Sequence, residues 1–349
     1  MARTPEQAAV IASEFFNQSQ TAPVQRVMRA AAATDMARPV EWVYTQYQAN
    51  ETTPAVYVFN AADEQGFVLV SAADNARAVL GYSDEGSIDA ERMPANMRAW
   101  LQMYADELAR ATQAHAAEAL PAAEYYPAIE PLLGNTSWNQ DAPYNNHCPI
   151  DPNTNQRSVT GCMATATTQI MYHHKHPQKG TDSYSYWWQG RTLSVDYSKE
   201  TYDWQNMLPS YKSGYTQAQA DAVAKLMYHV GVACNMWYGS NASGAGMGSG
   251  MQAIVRNFDY DAAIRVLMKD YMDEEMLMNV IAEDLQASRP IMIEALTKRQ
   301  EGHAFVLDGM KTDGYIHINW GWGGYGNGYF ALSAMNPENQ GIGGASDNG

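Results

Sequence analysis

The chain has 349 residues, 46% hydrophobic and 17% charged, with 22 Tyr and 9 Trp. This is long enough for two domains and too apolar for a disordered tail or a coiled coil. A formal net charge of −16, from 22 Lys+Arg against 38 Asp+Glu, repels phosphate backbones and anionic headgroups, which argues against nucleic acid and membrane surfaces as partners. No run approaches the roughly 20 apolar residues of a bilayer span, and the first residues lack the basic and apolar stretches of a signal peptide. Three cysteines, Cys148, Cys162 and Cys234, are too few for a disulfide scaffold and lack zinc-site spacing.

The chain opens on a capping box, Thr4-Pro5-Glu6-Gln7, with proline at the first helical position and Ala8, Ile11, Ala12 and Phe15 at helical spacing. A helix is expected there. Residues 40–47, 55–60, 66–72 and 78–82 are β-rich runs separated by turn formers, which reads as an antiparallel sheet. A second amphipathic helix follows from Pro94, with Met97, Trp100, Leu101, Tyr104 and Leu108 on one stripe. Residues 111–124 are alanine-rich, with Pro121, Pro127 and Pro131 close by, as in an exposed connector. Helical periodicity returns at 163–172 and 218–228, and strand-like runs close the chain at 291–295, 303–307 and 315–320. The whole reads as α+β.

Cys162 stands where a glycine-containing loop, Val159-Thr160-Gly161, runs into a helical pattern. Unpaired N–H groups and the positive end of the helix dipole stabilise a thiolate there, and the same groups can donate to an oxyanion. A buried free thiol fits the position as well. A nucleophilic thiolate needs a base, and His303 followed by Asn319 gives the order Cys, His, Asn at papain-like separations. A hairpin centred near Lys311 sets His303 opposite Asn319, within reach of an amide–imidazole hydrogen bond. His317 reads as a packed, hydrogen-bonded imidazole. His173, His174 and His176 lack acidic or thiol partners at ligand spacing and read as a solvated helix end.

These residues carry a resemblance. The segments Leu132-Leu133-Gly134-Asn135-Thr136-Ser137-Trp138-Asn139-Gln140, Pro143-Tyr144-Asn145-Asn146-His147-Cys148-Pro149, Gly161-Cys162-Met163-Ala164-Thr165-Ala166, Tyr202-Asp203-Trp204, Gly302-His303-Ala304-Phe305-Val306 and Asn319-Trp320-Gly321-Trp322-Gly323-Gly324 resemble the streptopain family of bacterial papain-like cysteine peptidases in zymogen form. Gly66-Phe67-Val68-Leu69-Val70-Ser71 and Leu80-Gly81-Tyr82-Ser83 resemble that family's pro-domain.

The resemblance implies an inhibitory α+β pro-domain over residues 1–120, an antiparallel sheet flanked by helices. It further implies a connector with the activation cleavage over 121–130 and a papain-like catalytic domain over 131–349. It makes Cys162 the nucleophile, His303 the general base and acid, and Gln140 a side-chain donor to the oxyanion. Asn319 and Trp320 would orient and shield the imidazole. Gln140 as a simple loop amide and Trp320 as a core aromatic are the structural alternatives.

Residues 239–250, with Ser243 and Ala245, are implied as a substrate-pocket wall, or equally a glycine-loosened loop. The glycines at 321–328 are expected to form a flap. No cofactor or metal is implied. The partners would be protein or peptide substrates and the chain's own pro-domain. The family reading adds secretion, activation by self-cleavage, and a hydrophobic residue two positions before the scissile bond. A Cys-His acyltransferase or cell-wall amidase, and an inert papain-like binding protein, are the competing functions. Cys148 and Cys234 read as buried thiols or as a bridge.

Overall fold

The protein is described by a computed structural model covering residues 2–19, 39–111, 126–296 and 302–334. The expected connector at 111–124 lies almost wholly outside the described residues. Two compact units emerge: the described parts of Met1–Tyr126, Lys311–Ile316 and Gly326–Gly349 form the first, and Pro127–Met310 with His317–Tyr325 the second.

In the first unit, helix α1 (Pro5–Ser19) starts on the expected capping box: Gln7 N donates to Thr4 Oγ1 at 3.3 Å and Thr4 N to Gln7 Oε1 at 2.9 Å. The sheet takes β1 (Val40–Tyr47), β2 (Pro54–Ala61), β3 (Phe67–Ser71) and β4 (Val79–Ser83) in order, all antiparallel. Ala8, Ala12 and Phe16 of α1 bury themselves against Tyr57, Phe59, Val68 and Val70. Helix α2 (Ala95–Ala111) packs on β1 and β2. Strand β2 is buried at every position after its first, the signature of a strand covered on both faces. The last strand of the unit comes from far along the chain, with Tyr329 and Phe330 pairing with Tyr82 and Gly81 of β4. By contacts, residues 311–316 and the described residues from Gly326 group with the first unit.

The second unit is built round helix α3 (Cys162–His174), which buries eight residues including Met163, Thr165, Thr168, Gln169 and Met171. After the short β5 (Ile150–Asp151) and β6 (Gln156–Arg157) come the hairpin β7 (Ser183–Trp188) and β8 (Arg191–Asp196), then α4 (Gln217–Ala233) and α5 (Met247–Phe258). Helix α6 (Glu274–Gln286) leads into β9 (Ile291–Leu296), β10 (Gly302–Met310) and β11 (Ile316–Asn319). A final β12 (Gly328–Phe330) is the strand that pairs with β4. Trp138, Trp188, Tyr197, Tyr238 and Phe258 fill the core between α3, α4 and the β7–β8 hairpin.

Helix α5 begins inside the stretch read as a loop. Glycines Gly248 and Gly250 hide its periodicity, and a Cβ on Gly250 would stand 2.8 Å from Met163 Sδ. Glycine there lets α5 approach α3.

Candidate active site

Gly161 precedes α3 with φ +87°, and a Cβ on it would lie 2.9 Å from both Met236 Sδ and the Ser243 carbonyl oxygen. Only glycine turns the loop into the helix here without strain. That turn presents Cys162 as the first residue of α3, partly exposed at the edge of the core.

The thiol meets strand β10. Ala304 N donates to Cys162 Sγ at 3.4 Å, which anchors the residue following His303 to the sulfur. Burial pushes the Cys162 thiol up, while the N–H groups of Ala304, Met163 and Cys162 itself pull it down and the Glu294 charge raises it further. The N–H groups at the helix start favour the thiolate, but burial outweighs them and the net shift is upward.

Gln140 is partly exposed, and its segment is fixed to the loop leading to the thiol: Thr160 N donates to Gln140 O at 3.1 Å, and Gln140 N to Asn139 Oδ1 at 2.8 Å. Trp320 is buried, its ring 4.8 Å from that of Phe305. Phe305 lies two residues along β10 from His303 and so shares its face of the strand.

Asn319 is almost wholly buried and engaged throughout. Its Oδ1 accepts from Gly321 N at 3.0 Å and Gln169 Nε2 at 3.3 Å, and its Nδ2 donates to Thr136 O at 2.8 Å. Gln169 Oε1 in turn accepts from Trp138 N at 3.3 Å. The hairpin register differs from the expected one. Lys311 N donates to Tyr315 O at 2.8 Å, and the Cβ position of Gly309 stands 3.1 Å from His317 Cβ. Continuing that register sets Leu307, not His303, across from Asn319. The turn holds Thr312-Asp313-Gly314 after Lys311, so its centre falls later than Lys311.

Ser243, expected on a pocket wall, turns its hydroxyl inward: it donates to Val159 O at 2.7 Å and accepts from Gly239 N at 3.0 Å. Asp151 holds the same loop by accepting from Ser240 N at 3.1 Å. Ala245 is partly buried, packed with Cys162, Met247 and Met292 on one core. Sequence reasoning missed Gln169, Asp151 and Glu294, whose partners lie far along the chain.

The other histidines are tied down rather than solvated. His173 Nδ1 bonds Leu132 O at 2.9 Å, His174 Nδ1 bonds Tyr260 Oη at 3.1 Å and His176 Nε2 bonds Asp259 O at 3.1 Å. His317 Nδ1 pairs with the buried Asp308 Oδ1 at 2.6 Å, and Asp308 Oδ2 accepts from Leu133 N at 3.1 Å. Among the described residues no cluster of His, Cys, Asp and Glu is arranged for a metal ion, and no helix is long and apolar enough to cross a membrane. Cys148 and Cys234 are free and buried, and burial pushes each thiol up to about 12.

Comparison with known proteins places these features in context. Residues 138–330 match the Peptidase C10 family, and residues 3–108 match the Spi protease inhibitor. The chain is 34% identical over 320 residues to the thiol protease/hemagglutinin PrtT of Porphyromonas gingivalis, an alignment covering 87% of this chain and 36% of that protein. It is 31% identical over 309 residues to streptopain of Streptococcus pyogenes, covering 83% and 77% respectively. Among solved structures, a prointerpain A fragment of Prevotella intermedia superimposes with TM-score 0.73 at 30% identity, over 87% of this chain and 94% of that one. Active interpain A gives 0.56 at 32% identity, over 64% and 94%.

Proposed function

Since the chain belongs to the Peptidase C10 family and is a cysteine peptidase with a papain-like catalytic domain behind an α+β pro-domain, we propose that it is a secreted endopeptidase made as a latent zymogen and activated by its own removal of the N-terminal domain. In the proposed reaction the Cys162 proton passes to His303, and the thiolate attacks a peptide carbonyl. The oxyanion is held by the N–H groups at the start of α3 and the Gln140 amide. His303 then protonates the leaving amine, and a water deprotonated by His303 hydrolyses the thioester. Trp320 shields the imidazole, and no cofactor takes part.

The observation that carries this reading is the Ala304 N to Cys162 Sγ hydrogen bond. It joins the neighbour of the proposed base to a thiol at the start of a buried helix. Latency is supported by the Spi protease inhibitor match over residues 3–108 and the likeness to prointerpain A. Residues 1–120 would be the inhibitory part, 121–130 the region cut and 131 onward the peptidase. The substrates would be proteins or peptides.

A time course of intact mass under reducing conditions tests the proposal, with Cys162→Ala alongside. The native chain is expected to shed its N-terminal domain while the variant stays whole. If both stay whole, self-activation is wrong. Recovery of the protein in the medium rather than in cells tests secretion.

A further inference from the structure

Among the described residues, Glu294 is the acid that both accepts a hydrogen bond at the start of a helix and bears on the charge of the nucleophile. On β9 it pairs directly with Ala304 of β10, so the two side chains share a face of the sheet with Cβ atoms about 5 Å apart. Ala304 is the residue whose N–H donates to Cys162 Sγ at 3.4 Å. Glu294 Oε2 accepts from Met247 N at 3.2 Å, at the first residue of α5, whose N-cap Gly246 has no side chain to do so. The hydrogen bond at the positive end of α5 holds the carboxylate in place.

Capping α5 needs an acceptor, not a charge, because a glutamine oxygen accepts the same N–H. A fixed anion beside a nucleophilic thiol also opposes thiolate formation: burial is the main cause that raises the Cys162 thiol, and the Glu294 charge adds a smaller push in the same direction. No lysine or arginine among the described residues forms an ion pair with it. The charge therefore acts on whatever is brought to the sulfur.

We propose that Glu294 is the charge-selecting group of the site: its carboxylate favours cationic over anionic groups at Cys162 and directs cleavage towards peptides with a basic side chain near the scissile bond. The substrate half of this inference rests on the peptidase reading above. The charge half does not.

The full chain is alkylated under reducing conditions with neutral iodoacetamide and with anionic iodoacetate. The rates at Cys162 are read by peptide mapping, which separates it from buried Cys148 and Cys234. The ratio of the two rates cancels differences in accessibility and in thiol ionisation. It is expected to fall roughly 3- to 10-fold in Glu294→Gln, as removal of one nearby unit charge implies, and to hold in Glu294→Asp. An unchanged ratio in Glu294→Gln overturns the inference. Peptides carrying arginine or its neutral isostere citrulline at each position around the cleavage point are then compared, once the mass of the chain is constant. A roughly threefold or greater arginine preference at one position, lost in Glu294→Gln, supports the substrate class, and its absence overturns it. If the ratio falls but no peptide is cut, Glu294 retains its role at the thiol and it is the peptidase reading that fails.

Discussion

Gln169 and Asn319 are 150 residues apart in the chain and joined by a hydrogen bond of 3.3 Å, Gln169 Nε2 to Asn319 Oδ1. The bond ties the middle of α3, two turns beyond Cys162, to the end of β11. Through Thr136 O and Trp138 N the same pair of amides also holds the segment that leads to Gln140. The helix carrying the thiol and the loop carrying the proposed oxyanion donor are thus braced by one buried network.

Gln169→Ala is expected to destabilise the catalytic unit by about 1–3 kcal/mol, because it takes the side-chain acceptor from the buried Trp138 N–H and one of two donors from Asn319 Oδ1. Peptidase activity should fall with it. Denaturant unfolding of the variant measures the first effect, and a stability equal to native refutes the bracing role.

Ser243→Ala separates a wall that touches substrate from a clamp that positions the site. The hydroxyl bonds Val159 O and Gly239 N, just before the Gly161 turn. Loss of the clamp is expected to lower kcat several-fold and stability by about 1 kcal/mol, with little change in KM. A rise in KM with kcat unchanged would return Ser243 to the substrate wall.

His229 predicts an acid limb of stability. It is buried against Tyr197 and Tyr202, and burial pushes it down to about 4, partly offset by the Glu200 charge. The folded state keeps the ring neutral where the unfolded chain, with an ordinary value near 6.5, takes up a proton. Stability is therefore complete above about pH 6.5 and declines as pH falls towards 4, by roughly 3 kcal/mol in total. Thermal melts from pH 7 to 4 should show this decline, and His229→Gln should flatten it. An equally steep decline in the variant would assign the acid limb to other groups.

Much of the fold was legible because its signals are local. The Thr4 capping box, the β-rich runs of β2 to β4, and the helix starting at Cys162 each follow from neighbours within a few residues. Helix α5 escaped because Gly248 and Gly250 dilute its apolar periodicity, and glycine is present at 250 for contact with Met163, a residue far away in sequence. The His303–Asn319 pairing misled for a related reason. Hairpin register depends on which residues close the turn, and Lys311 with Tyr315 closes this one.

By itself the sequence determined that this protein is a two-part α+β chain with a cysteine at a glycine-preceded helix start, followed by His303 and Asn319. Helix caps, β-rich runs and motif spacing are properties of short stretches, and they survive being read in one dimension. Only the tertiary structure decided that Ala304 N meets the thiol, that Glu294 stands beside it, that Ser243 faces inward and that Gln169 braces Asn319. The reason is physical. Each of these depends on hydrogen-bond geometry or charge proximity between residues that lie tens to hundreds of positions apart and meet only when the core closes.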